Sequence, residues 1–245
     1  MSEKPSKPRR RPATRKGRPT LTRELIAERA LHLAGAEGFP AVTMRRLAEE
    51  LGVTVRALYN YVADRQEVVD LAARLLLAQW ELPELDPERW EDSVRAYCAQ
   101  LRGLYRRYPR ALLVSLDERV RPTGVHPNRL ANPEAFLGLL RGIGLTPHDA
   151  LRVHSELGLK LFAFTLLVDH PTDRAPDGPG PLDAAPVPAA WPAAHPELHL
   201  PYLSEAVHLP KPTPDELFDY LVDTLVLSIR ERLPATHAGV RRQKP

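Results

Sequence analysis

The stretch TMRRLAEELGVTVRALYNYV, residues 43–62, constrains this chain more than any other. It sets two short amphipathic segments on either side of Leu51-Gly52-Val53. Glycine there accepts the left-handed backbone that ends one helix, and so small a turn makes the next helix cross steeply. Thr43 and Thr54 stand at the two N-cap positions. Leu47, Ala48 and Leu51 form the buried stripe of the first segment, and Leu58 and Val62, at i and i+4, that of the second. The spacing predicts a helix-turn-helix whose second helix faces outward.

The flanking sequence predicts a helical head around this pair. Thr22 is placed to cap a first helix with Glu24 in its opening turn, and Ile26, Ala30, Leu33 and Ala34 repeat at helical spacing. Gly38 ends that helix, and Phe39 folds back onto the core. Asp64 caps a fourth helix through Val68, Leu71, Leu75 and Leu76 to about Trp80. Pro83 and Pro87 mark a break. Helical patterns resume near Arg89–Tyr108, Arg110–Glu118, Pro133–Arg141, Thr146–Val168 and Pro214–Leu233. Residues 171–214 hold twelve prolines and predict loop, with room for one short helix near Glu197–Val207. Strand-like alternation is absent from the sequence, so the expected class is all-α. The expected units are an arm at 1–19, a head at 20–80, a larger domain at 81–235 with a proline-rich loop at 171–213, and a tail at 236–245.

Charge is unevenly distributed. Lys4, Lys7, Arg9, Arg10, Arg11, Arg15, Lys16 and Arg18 stand against Glu3 in the arm, while the whole chain carries only +3, so the remainder is net acidic. Localised positive charge points to a polyanion, and an arm without an apolar face favours nucleic acid over membrane. Too few large apolar side chains occur there for the arm to fold alone. Lys16-Gly17-Arg18-Pro19 is similar to the core of an AT-hook, which lies in a narrow minor groove; a solvated basic tail is the other reading. The first twenty residues lack the apolar core of a secretory signal, and Leu157–Val168 is interrupted by Lys160, so a cytoplasmic protein is expected. The single Cys98 excludes an internal disulfide and any multi-cysteine metal site.

With Leu58 and Val62 inward, Val55, Arg56, Ala57, Tyr59, Asn60 and Tyr61 remain for DNA. Arginine can bond guanine O6 and N7 together, asparagine pairs with adenine, and Val55 and Ala57 suit thymine methyl groups. The Tyr59 and Tyr61 hydroxyls have phosphate-reaching length; both residues could equally be core with hydroxyls at the rim. Arg45, early in the second helix, and Arg65, in the first turn of the fourth, are placed to flank the groove. The free N–H groups at those two helix starts favour phosphate, and Thr43 and Thr54 join the DNA-contact candidates.

Residues 20–76 resemble the DNA-binding domain of the TetR family of transcriptional regulators. The match runs from Leu25-Ile26-Ala27-Glu28-Arg29-Ala30 through Glu37-Gly38-Phe39 and Thr43-Met44-Arg45-Arg46-Leu47-Ala48. It continues through Leu51-Gly52-Val53 and Leu58-Tyr59-Asn60-Tyr61-Val62 to Asp64-Arg65. The resemblance implies an all-helical homodimer, usually a repressor, that leaves a palindromic operator when a small molecule binds its second domain. Further on, Trp90, Arg121-Pro122, Gly144-Leu145-Thr146-Pro147, Asp149-Ala150-Leu151 and Leu217-Phe218-Asp219-Tyr220-Leu221 are similar to the tetracycline-repressor branch. That likeness implies a four-helix dimer bundle, with Leu157, Leu161, Phe164, Val168, Leu221, Leu225 and Leu227 able to form its seam; packing inside one subunit is the alternative. It also implies a pocket, for which Trp80, Tyr97, Leu101, Ser115, His154, Gly158 and Phe162 are the candidates, each of which could instead be plain core. Where that branch holds a magnesium–drug chelate with a histidine and a carboxylate, this chain aligns Ser115 and Leu167, which argues against that ligand. The expected effector is largely apolar, with a few polar anchors.

Enzyme signatures are missing. His195 and His199 flank Pro196 without an HExxH pattern, Gly138, Gly142 and Gly144 lack the lysine of a phosphate loop, and no GxSxG elbow or activated thiol occurs. Neither cofactor nor metal is expected. The alternatives to a ligand-released repressor are an activator, a DNA-binding protein without an effector, and an enzyme.

Overall fold

The computed structural model describes residues 20–114, 118–122, 125–175, 187–188 and 190–234. The arm with Lys16 and Arg18, Ser115 and the tail beyond 234 lie outside the described residues.

The head is built from capped helices. α1 (Arg23–Glu37) starts where Leu25 N donates to Thr22 Oγ1 at 3.1 Å. α2 (Met44–Leu51) starts on Thr43, which accepts from Arg46 N at 3.1 Å. Gly52 then takes φ 63° and ψ 36°, while Val53 N reaches back to Ala48 O at 3.0 Å, a closure only a left-handed residue permits. α3 (Val55–Leu58) is capped by Thr54, and α4 (Arg65–Ala78) by Asp64. α3 is shorter than its sequence pattern: Tyr59, Asn60 and Tyr61 continue as turns that still bond back to Val55, Ala57 and Leu58. Ile26, Phe39, Leu47, Leu58, Val62 and Val68 are buried together, in a core that runs on without a break into the body.

α1 packs along α4 and against the tight turn Pro109–Leu113. That approach depends on Gly35, where a Cβ would lie 3.0 Å from Tyr108 Cδ1 and 3.3 Å from Tyr108 Cα. Head and body are therefore in direct contact.

The body comprises α5 (Trp90–Arg107), α6 (Asn128–Gly142), α7 (Pro147–Phe164), α8 (His170–Arg174), α9 (Ala190–Ala193), α10 (Pro201–Val207) and α11 (Pro214–Arg230). No strand occurs among the described residues. The first part of the pattern near Arg110–Glu118 forms a 3-10 turn, Pro109–Leu113, and residues 115–117 of it lie outside the described residues. α6 begins five residues before its sequence pattern, and Pro133 lies inside it, buried. The proline-rich region contributes α8, α9 and α10, two more short helices than expected. α7 ends in a π-turn, Thr165–Asp169, that leads into α8. Within that turn Asp169 is buried and accepts two hydrogen bonds from Arg102, at 2.9 and 2.7 Å. The Arg102 guanidinium also lies 4.3 Å from the Phe218 ring centroid, clasping α5, α7 and α11 together. Cys98 is buried, and burial pushes its thiol up to about 12, which removes it as a nucleophile near neutral pH.

Candidate DNA and effector sites

The outward face of the helix-turn-helix carries side chains free to meet a ligand. Arg56, Asn60, Tyr59 (52% exposed) and Tyr61 (36% exposed) all lie at the surface. Among the described residues, no protein group engages the Arg56 or Asn60 side chain. Thr43 and Thr54 accept capping bonds, and each hydroxyl keeps its hydrogen for a phosphate. Arg45 is exposed and pairs with Glu49 at 3.1 Å, an i,i+4 contact in full solvent that costs little to exchange. Val55 and Ala57 are half-buried, and Val55 packs on the core, which limits both to edge contacts.

Arg65 departs from the sequence reading. Its guanidinium donates to Val42 O at 2.7 Å, Phe39 O at 2.8 Å and Glu118 Oε2 at 3.1 Å, so it is engaged inside the protein instead of flanking a groove. The reason is tertiary. Where the chain turns after α1, the Val42 and Phe39 carbonyls face the first turn of α4, and each has lone-pair capacity for a donor. Sequence spacing alone could not show that Glu118, fifty-three residues on, completes the set. Two further contacts secure α4 to the same segment. Gln66 Nε2 donates to Arg119 O at 2.7 Å, and Arg121 N donates to Asp70 Oδ1 at 3.0 Å.

Behind α4 lies a cavity of about 540 Å³, within the usual range for small-molecule sites. Six residues singled out in the sequence, Trp80, Tyr97, Leu101, His154, Gly158 and Phe162, stand around it. Tyr105, Glu118 and Arg129 also line it and were not anticipated. Leu157 faces it too, although the sequence assigned that residue to a subunit seam.

Tyr97 stacks on Phe136 at 4.3 Å between centroids, and Trp80 lies tilted 6.1 Å away. The Trp80 carbonyl is fastened by Asn132 Nδ2 at 2.7 Å. Yet Trp80 Nε1 and Tyr97 Oη, both buried, have no hydrogen-bond partner among the described residues. Each such group costs about 1–3 kcal/mol when left unpaired. Burial raises the Tyr97 and Tyr105 hydroxyls and lowers His154, so all three are neutral near pH 7. Arg129 is close enough to oppose both rises and to add to the His154 shift. No cluster of metal-ligating side chains occurs among the described residues, and none of the described helices is long and apolar enough to cross a membrane.

Of the residues expected at the seam, Leu227 is exposed, and the others are buried or half-buried within the chain. Leu157, Leu161, Phe164 and Leu225 are buried within the one chain, and Val168 and Leu221 pack half-buried against the same core. α5, α7 and α11 consume that stripe among themselves. The exposed apolar residues of α7 and its extension are instead Leu151, Leu159 (73% exposed) and Leu167, with Tyr220 and Leu227 on α11.

Residues 24–72 match the model of the bacterial regulatory proteins of the tetR family. Over those residues the chain is similar to the DNA-binding domain of that family. Among curated relatives, the HTH-type transcriptional repressor DrrR1 of Streptomyces coeruleorubidus is 36% identical over 138 residues, 56% of this chain and 49% of that one. The class D tetracycline repressor of Escherichia coli is 30% identical over 102 residues, 40% of this chain and 46% of that protein. The chain thus spans about half the length of the curated relatives it matches. Among solved structures, the TetR family protein ActR of Streptomyces coelicolor in complex with actinorhodin covers 91% of this chain and 100% of its own. Its identity is 25% and its TM-score 0.59. ActR in complex with (S)-DNPA covers 86% and 98%, at 27% identity and a TM-score of 0.55.

Proposed function

We propose that this protein is a sequence-specific DNA-binding regulator of transcription of the TetR family. It acts in the cytoplasm as a repressor that a small, largely apolar molecule releases from a palindromic operator. The observation that carries the reading is the pairing of two features on one frame. An unengaged Arg56–Asn60 face stands in front of α4, and a cavity stands behind it whose wall residue, Glu118, holds the first turn of α4 through Arg65. The names of the curated repressors and the ligand-bound ActR structures support both halves.

A ligand shifts operator binding only by the difference in its affinity for the two states, and a hundredfold loss requires about 2.7 kcal/mol of coupling. A pivot of α4, driven where Glu118 and Arg65 meet, would carry the helix-turn-helix away from its groove. Two copies are needed for a palindrome. Leu151, Leu159 and Leu167 with Tyr220 and Leu227 form the apolar face on which the second copy sits.

Footprinting on the DNA upstream of the chain's own gene tests this. Two-fold symmetric protection, with half-site centres roughly 34–36 Å apart and lost on adding the effector, is the expected result. Protection without two-fold symmetry, or no duplex shifted in dilute buffer, overturns it.

A further inference from the structure

The chemistry of the cavity narrows what can enter it. Trp80, Tyr97, Tyr105 and Phe162 gather around one space in a chain that is only 6% aromatic. Such walls favour flat rings, which stack or meet edge to face. Two polar atoms are buried there without partners among the described residues: Trp80 Nε1, a donor only, and Tyr97 Oη, which donates or accepts. Trp80 is 7% and Tyr97 1% exposed, so bulk solvent does not serve them. Half of the orphaned buried side-chain atoms among the described residues thus lie on one wall. They call for oxygen atoms on the ligand.

Charge decides the remainder. Arg129 stands in the first turn of α6, lines the cavity and is exposed, and no acidic residue shares that turn. A cation at a helix start lies at the unfavourable end of the dipole. Among the described residues Arg129 has no carboxylate within ion-pair distance. The other charged lining residue, Glu118, is already answered by the two-pronged contact with Arg65. Among the described residues the cavity therefore offers one unanswered charge, and it is positive.

We propose that the cavity takes a flat, multi-ring aromatic acid, with its carboxylate on Arg129 and its ring oxygens on Trp80 Nε1 and Tyr97 Oη. This rests on the reading of the cavity as the effector site and adds the class of effector to it. Tyr97→Phe keeps the stack on Phe136 and removes only the orphaned hydroxyl. It should therefore raise the melting temperature of the unliganded protein while weakening the ligand. A purely structural hydroxyl would do the reverse.

The test uses the full chain and three probes of one ring system: anthraquinone-2-carboxylate, its neutral carboxamide, and the cationic 2-aminomethyl analogue, ranked by calorimetry. The acid should bind at least tenfold more tightly than the amide, and the amine most weakly. Arg129→Gln, a surface change compatible with folding, should bring the acid down to the amide and leave the amide unchanged. Trp80→Phe and Tyr97→Phe should weaken acid and amide alike by several-fold. Equal affinity for acid and amide, preference for the amine, equal loss of both on Arg129→Gln, or binding of none at millimolar concentration overturns the proposal. Calorimetry needs no DNA, so the two readings separate. An acid that binds as described but leaves the operator complex intact sustains the ligand class and defeats effector control.

Discussion

At the scale of single residues, the sequence identified the base-reading candidates by type, and tertiary contacts sorted them. Arg56 and Asn60 stay free at the surface, whereas Arg65, equally basic and equally near a helix start, is drawn into carbonyls and Glu118. Arg56→Ala and Asn60→Ala should each relax preference at one base pair by about 1–3 kcal/mol, measured by binding to a panel of operator variants. Uniform weakening across the panel would make both mere phosphate contacts. His154 gives a pH dependence. Burial first, and Arg129 second, lower its pKa, so the unfolded chain takes up this proton more readily than the native one. The native state is favoured in full above about pH 6.5, the ordinary histidine value, and loses stability as pH falls from there through the depressed native value. His154→Gln should flatten that acid limb in thermal melts, while His170, also lowered mainly by burial, keeps its own share. An unchanged limb would mean that His154 titrates as it does in water.

At the scale of elements, caps and turns were legible because they are local. Thr22, Thr43, Thr54 and Asp64 cap the helices they precede, as the sequence predicts, and Thr146 and Thr213, which the sequence reading did not single out, do the same for α7 and α11. The start of α6 was not legible. Pro133 favours a first helical turn, yet α6 begins at Asn128 and tolerates the proline one turn in. The apolar face of α7 was misassigned for a related reason. Leu157 and Leu161 share a helical stripe with no mark of whether a neighbour in the same chain covers it. Leu159→Glu should convert a dimer to a monomer in sedimentation with the melting temperature of the subunit core retained, since Leu159 is outside that core. A dimer that persists would place the second copy on another surface.

At the scale of the molecule, α4 reaches both the buried centre of the head and the cavity, through Val68 on one side and Leu76 on the other. Glu118→Gln should keep the fold and weaken its hold on Arg65. Operator affinity and the response to effector should then change together, which gel shifts with and without ligand would register. A change in operator affinity with an undiminished response would remove Glu118 from the coupling. Deleting residues 1–19 should lower the slope of log affinity against log salt, because fewer counterions are released; an unchanged slope would make the arm passive. The sequence by itself determined the helical class, the helix-turn-helix and the exposure of Arg56, Tyr59, Asn60 and Tyr61, because these follow from caps, a left-handed glycine and apolar spacing within about twenty residues. Tertiary structure alone decided that Glu118 meets Arg65, that Tyr105 and Arg129 join the cavity, and which leucines stay uncovered. Those outcomes depend on which helices pack side by side, and no periodicity within a single helix encodes its neighbour.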